Sequence, residues 1–135
     1  MEKQTHFANR YSNVKVIAFW IVTVLLAFEL IDGAFWDFNI LNKGAVQGVL
    51  SRLGYPAYLA FILGSAKILA AIAILLPRLK ILKEWAYAGT FFLFAGATAS
   101  HIAVKDFSSV IFPLIFVIFI LLSWWLRPAS RKVGL

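Results

Sequence analysis

Lys67 is the residue with the strongest claim to chemistry. It is the single charge in AYLAFILGSAKILAAIAILL, residues 57–76. At about 1.5 Å per residue, a helix of that length spans about 30 Å, the hydrocarbon core of a bilayer. An ammonium near the midplane costs about 2.5–3.5 kcal/mol unless it is partnered, reached by water or deprotonated. Glu29, Asp32 and Trp36 recur at i, i+3 and i+7 near the end of the first apolar block, so they share one helix face, and Gly33 lies on the same side as Glu29. The helical rise offsets the Glu29 and Lys67 backbones by about 5 Å, within reach of two long side chains. The spacing therefore predicts a Glu29–Lys67 pair. Asp32 and His101 complete a polar pocket that opens outward, and Arg52 lies near the same surface.

Such a pocket can hold the polar head of a lipophilic ligand, with Glu29, Asp32, Trp36, Arg52, Tyr55, Lys67 and His101 as candidate contacts. It can also move protons. Glu29 would be the base and Lys67 or His101 the acid, with burial shifting their pKa values toward neutrality. The same charges would serve equally to fix helix register alone. Glu29, Asp32 and His101 are metal ligands by type, but no metal is expected.

These residues need helices to place them. Four apolar blocks of membrane-spanning length cover residues 16–36, 57–76, 85–103 and 109–126. They predict an all-α, single-domain, four-helix membrane bundle. Residues 37–56 form the one long connection. Asp37-Phe38-Asn39 reads as a turn, and Val46, Val49, Leu50 and Leu53 repeat at helical spacing, which predicts a short interfacial helix over 43–53. Gly54 then caps it and Pro56 starts the next span. Pro77 ends the second span, and Arg78–Glu84 reads as a turn. The third block is rich in small residues, and Pro113 lies inside the fourth.

Composition narrows the function classes. Of 135 residues, 62% are hydrophobic, which a soluble domain of this length could not hide. The net charge of +7 sits at segment ends in separated clusters, which argues for membrane orientation and against nucleic acid. With an N-terminus inside, nine cations fall on the inner side (Lys3, Arg10, Lys15, Arg78, Lys80, Lys83, Arg127, Arg131, Lys132) and three on the outer (Lys43, Arg52, Lys105). Both termini are thus expected in the cytoplasm of a plasma or inner membrane protein. The first block follows a polar stretch, is interrupted by Glu29 and Asp32 and lacks a cleavage signal, so it is expected to be retained. No cysteine is present, and only one of the two histidines lies in an apolar block, so neither iron–sulfur cluster nor haem is expected.

The strings Arg52-Leu53-Gly54-Tyr55-Pro56, Leu63-Gly64 with Lys67, Leu75-Leu76-Pro77-Arg78, Lys83-Glu84-Trp85-Ala86-Tyr87-Ala88-Gly89 and Ser100-His101 together resemble the DoxX-like family of small four-span membrane proteins, over about residues 14–128. The resemblance implies a four-helix bundle. It also implies a link to quinone-dependent or redox-stress membrane complexes, and it supplies no catalytic residue set. Three functions then fit. One is a pocket for a quinone or similar ligand that supports a partner oxidoreductase. Another is a stand-alone acid–base isomerase or hydrolase acting on a small apolar substrate. The third is an assembly subunit or homo-oligomer docking through the small-residue faces.

Overall fold

The computed structural model describes residues 1–41 and 43–134. Its regular structure is helical: α1 (Glu2–Asp37), α2 (Ala45–Arg52), α3 (Leu59–Leu75), α4 (Lys80–Ala103) and α5 (Ile111–Leu126), with 3-10 turns at Phe107–Ser109 and Ala129–Arg131. Two stretches, Glu2–Asp37 and Phe107–Leu126, are long and apolar enough to cross a membrane, whereas α3 is a shorter apolar helix of 17 residues.

α1 runs without a break through 36 residues, about 54 Å, so the polar first residues extend the same rod rather than preceding it. Pro113 is the third residue of α5. In the first turn its missing N–H leaves no carbonyl unserved, so it starts this helix instead of bending it. α4 begins at Lys80, so Lys83 and Glu84 are helical and the expected turn shortens to the residues around Arg78.

The four long helices close a ring in which α1 and α4 each pack on both α3 and α5, and α2 lies across the ends of α1 and α3. The α1–α3 contact relies on small residues. Ala60, Gly64 and Ala71 are buried on the face of α3 that carries Lys67, which lets the two backbones approach closely; Ala70 and Ala73 are buried on the side toward Ala86 and Gly89 of α4. Leu26, Leu30, Ile74, Tyr87, Phe94 and Ile120 fill the core. The outward surface carries Phe28, Phe61, Leu69, Phe92 and Ile118, each more than half exposed. Meanwhile the hydroxyls of Thr23, Ser123 and Tyr87 are linked inside by two 2.7 Å hydrogen bonds. Large apolar groups outside and satisfied polar groups inside suit hydrocarbon surroundings.

The helix ends are closed in two ways. At the end of the bundle where α1 and α4 finish, three helix C-termini (α1, α2 and α4) share one backbone motif. The residue after each C-cap, Asn39, Gly54 or Lys105, has positive φ, and the next N–H reaches back to Phe35 O, Leu50 O or His101 O at 3.0, 2.8 and 2.9 Å. Gly54 thus closes α2 as its position predicts. Lys105, at φ 60°, bears the steric cost of its Cβ in this conformation. Lys105→Gly is expected to stabilise the protein by about 1 kcal/mol, read as a raised melting temperature in detergent.

At the opposite end, α3 stops at Leu75 before Leu76-Pro77, and proline has no N–H to return to the last carbonyls. Side-chain cations replace it. Lys83 Nζ donates to Ala73 O at 2.7 Å and to Leu76 O. Arg131 donates to Ile74 O at 2.9 Å and Leu75 O at 3.0 Å. Its guanidinium stacks 4.8 Å from the Trp20 ring. Arg127, also buried, pairs with Glu84 and lies 5.1 Å from the Tyr87 ring.

Candidate functional site

Glu29, Gly33 and Asp37 follow one another at four-residue spacing, so they form a single row on α1 facing α3. Lys67 extends from α3 along this row. Its Nζ lies 2.8 Å from Asp37 Oδ2, and both side chains are nearly buried. The expected Glu29–Lys67 pair is therefore corrected: the lysine pairs with Asp37, about two turns beyond Glu29 on α1. Glu29 lines the same cleft without coming within ion-pair distance of Lys67. The physical reason is the end of α1. It continues through Asp37 instead of turning there, so a second carboxylate is presented toward the membrane surface, the direction in which a lysine stem naturally extends.

Two glycines make this arrangement possible. A Cβ on Gly33 would lie 3.0 Å from Lys67 Nζ and 3.4 Å from Glu29 Oε1. A Cβ on Gly64 would lie 3.0 Å from the Phe38 ring and 3.1 Å from Asp37 Cβ. The first meets the mobile tip of a lysine. The second meets a ring and a helix that cannot yield so readily. Gly64→Ala is therefore expected to cost about 1–3 kcal/mol in stability. Gly33→Ala is expected to cost less and to displace the ammonium instead. Thermal melting of both variants checks the contrast.

The resulting cleft has a volume of about 270 Å³ and is lined by Glu29, Asp32, Gly33, Trp36, Asp37, Val46, Lys67 and Phe112. It holds three carboxylates, one ammonium and two aromatic rings. Asp37 Oδ2 has Lys67 as its neighbour at 2.8 Å, and a carboxylate oxygen has a second lone pair, so it keeps acceptor capacity. Gln47 of α2 closes over the end of α1, donating to Asp37 O at 3.2 Å. Among the described residues, no group of three or more His, Asp or Glu is arranged to hold a metal ion.

The other expected contacts are elsewhere. His101 and Arg52 line a separate cleft of about 220 Å³ with Val49, Leu53, Val104 and Asp106. Tyr55 is taken up by a 2.8 Å hydrogen bond between its hydroxyl and Ser100 Oγ. His101 Nδ1 lies 3.1 Å from Asp106 Oδ2, and Ser108 donates to Asp106 Oδ1 at 2.9 Å. Hydrogen bonds from Ser109 and Ser108 hold the Asp106 carboxyl below the usual carboxylate range. The structure thus brings Glu29, Asp32, Trp36 and Lys67 together and places Arg52, His101 and Tyr55 outside that group.

Asp37 is the residue that sequence reasoning missed, and its signal was the four-residue spacing to Glu29 and Gly33. Asp106, five residues after His101, carried no comparable periodic signal.

No curated protein and no solved structure matches the chain. The model of the DoxX-like family matches residues 21–123, a range that contains every lining residue of both clefts. With this match and two helices suited to crossing a bilayer, the chain is a membrane protein that belongs to the DoxX-like family.

Proposed function

We propose that this protein crosses the cell membrane four times, with both termini cytoplasmic, and holds a quinone or similar lipophilic ligand in the Glu29–Lys67–Asp37 cleft in support of membrane redox chemistry. The positive-inside count of nine cations against three supports the orientation. The apolar outward surface and the ring of four long helices support four spans, with α3 short enough, at about 26 Å, to fit an untilted crossing.

The observation that carries the ligand reading is the pairing of opposite hydrogen-bonding characters in one aromatic-lined cleft. Lys67 is a donor for a carbonyl oxygen, and Asp37 Oδ2 is a buried acceptor with capacity left for a hydroxyl. A quinone presents carbonyls and its reduced form presents hydroxyls, so the cleft has a partner for each state. Glu29 and Asp32, beside it, are placed to take or supply the protons. The chain has no cysteine for a thiol or iron–sulfur centre, and we assign the electrons to an oxidoreductase partner.

Native mass spectrometry of the detergent-purified protein, with released small molecules identified, tests this reading. A stoichiometric quinone that is lost on Lys67→Met supports it, with an affinity drop of about tenfold or more. If the protein carries no quinone and a short-chain quinone leaves its tryptophan fluorescence unchanged, the ligand reading fails.

A further inference from the structure

The cleft between α2 and the end of α4 is separate from the ligand cleft and is built from different chemistry. Arg52 stands in the last turn of α2 and His101 in the last turn of α4. Both helices are closed by the same backbone motif, which sets their ends at one edge of the bundle. Arg52 makes no ion pair or hydrogen bond with another described residue. His101 is mostly buried, with 12% of its side chain exposed. Its Nδ1 is committed to Asp106, whose carboxylate also accepts from Ser108, so Nε2 is the ring nitrogen left without a partner among the described residues. Val49, Leu53 and Val104 supply apolar walls. The charged and titratable groups lining the cleft are Arg52 from α2, His101 from α4 and Asp106 from the turn that follows α4. The negative ends of two helix dipoles favour cationic side chains in this position.

We propose that this cleft binds an oxyanion, the phosphate, sulfate or carboxylate of a small solute or of a lipid headgroup, between the Arg52 guanidinium and the His101 imidazolium. Arg52 supplies a planar fork suited to two oxygens. Protonated His101 supplies Nε2–H, while Asp106 fixes the ring through Nδ1 and balances its charge. Neutral His101 with its proton on Nδ1 would turn a lone pair toward the anion instead.

The test uses inorganic sulfate and the full-length protein in a maltoside detergent that contains no phosphate. Histidine-selective NMR reads two side chains, because the sequence contains only His6 and His101. His6 lies in the exposed first part of α1 and serves as the internal reference. Sulfate is expected to shift the His101 resonance saturably and leave His6 in place. Arg52→Gln, an exposed position where folding is not at stake, is expected to weaken binding by about tenfold or more, and Arg52→Lys to retain part of it.

Repeating the titration in phosphatidylglycerol nanodiscs separates the two sources. A lipid headgroup in the cleft leaves His101 already at its bound position and unresponsive to sulfate, whereas a solute site titrates as it does in detergent. If sulfate moves His101 no more than His6 in detergent, or if Arg52→Gln binds sulfate as the unaltered protein does, the proposal is overturned.

Discussion

Lys67→Met is expected to destabilise the protein by about 3–5 kcal/mol, because it leaves Asp37 as an uncompensated buried carboxylate. The magnitude comes from the asymmetry of buried pairs. Removing one partner exposes the full desolvation cost of the other, whereas removing both together with an apolar replacement is often neutral. Lys67→Met combined with Asp37→Leu is therefore expected to recover most of the loss. A double-mutant cycle on unfolding in mixed detergent–SDS micelles gives the decisive number. The coupling between Lys67 and Asp37 should exceed the coupling between Lys67 and Glu29 by about 1 kcal/mol or more, since Glu29 is near the ammonium but not paired with it. Equal couplings would mean that Lys67 divides its time between the two carboxylates. A larger coupling to Glu29 would restore the pair that helical spacing alone suggests.

Lys83→Met carries the second large effect, about 2–4 kcal/mol of lost stability. Lys83 is 1% exposed, and its ammonium closes two carbonyls at the end of α3, a position where Pro77 prevents the backbone from doing so. Methionine matches the stem but leaves Ala73 O and Leu76 O without donors. Lys80→Met, at an exposed position one turn earlier on the same helix, serves as the control and is expected to change stability by no more than about 0.5 kcal/mol. Thermal melting of both variants in the same detergent separates the closure of α3 from the general effect of removing a cation.

The difference between these two lysines shows what was legible in the sequence. Lys67 stood out because a lone charge in twenty apolar residues has no bland explanation, and its face on the helix follows from periodicity. Its partner did not follow. Periodicity fixes the face and the approximate depth of a residue, but neither how far a lysine stem extends nor whether the facing helix continues through the next carboxylate. Asp-Phe-Asn is good turn chemistry, so the sequence places Asp37 in a turn. The turn is real, but it begins at Phe38, which caps the helix, and Asn39 takes the left-handed conformation. Lys83 was hidden for the opposite reason. In a cluster with Arg78 and Lys80 it resembled the ordinary cationic flank of a membrane span. Only the three-dimensional position of the α3 carbonyls distinguishes it from its neighbours.

The candidate site was legible to a similar degree. Glu29, Asp32, Trp36 and Lys67 line one cleft, and they lie on two helices whose faces can be read from spacing. His101 and Arg52 were grouped with them on depth alone. The structure interposes α2, whose Val46 lines one cleft while Val49 and Leu53 line the other. The apolar stripe of α2 is visible in the sequence, but its use as a partition between two clefts depends on how an eight-residue helix settles across the ends of its larger neighbours.

The two cations that finish α3 also impose an order on assembly. Lys83 is only seven and ten residues beyond the carbonyls it serves, so this contact is available as soon as α3 and α4 have emerged from the ribosome as a hairpin. Arg131 is 57 residues beyond Ile74 and cannot act until α5 has been inserted and the chain has turned back at Ala129–Arg131. The hairpin therefore forms with a provisional closure, and a stretch translated later, beyond α5, fastens it against Trp20 of the first helix. A nascent chain that has reached the end of α5 but not Arg131 would still leave the Ile74 and Leu75 carbonyls open.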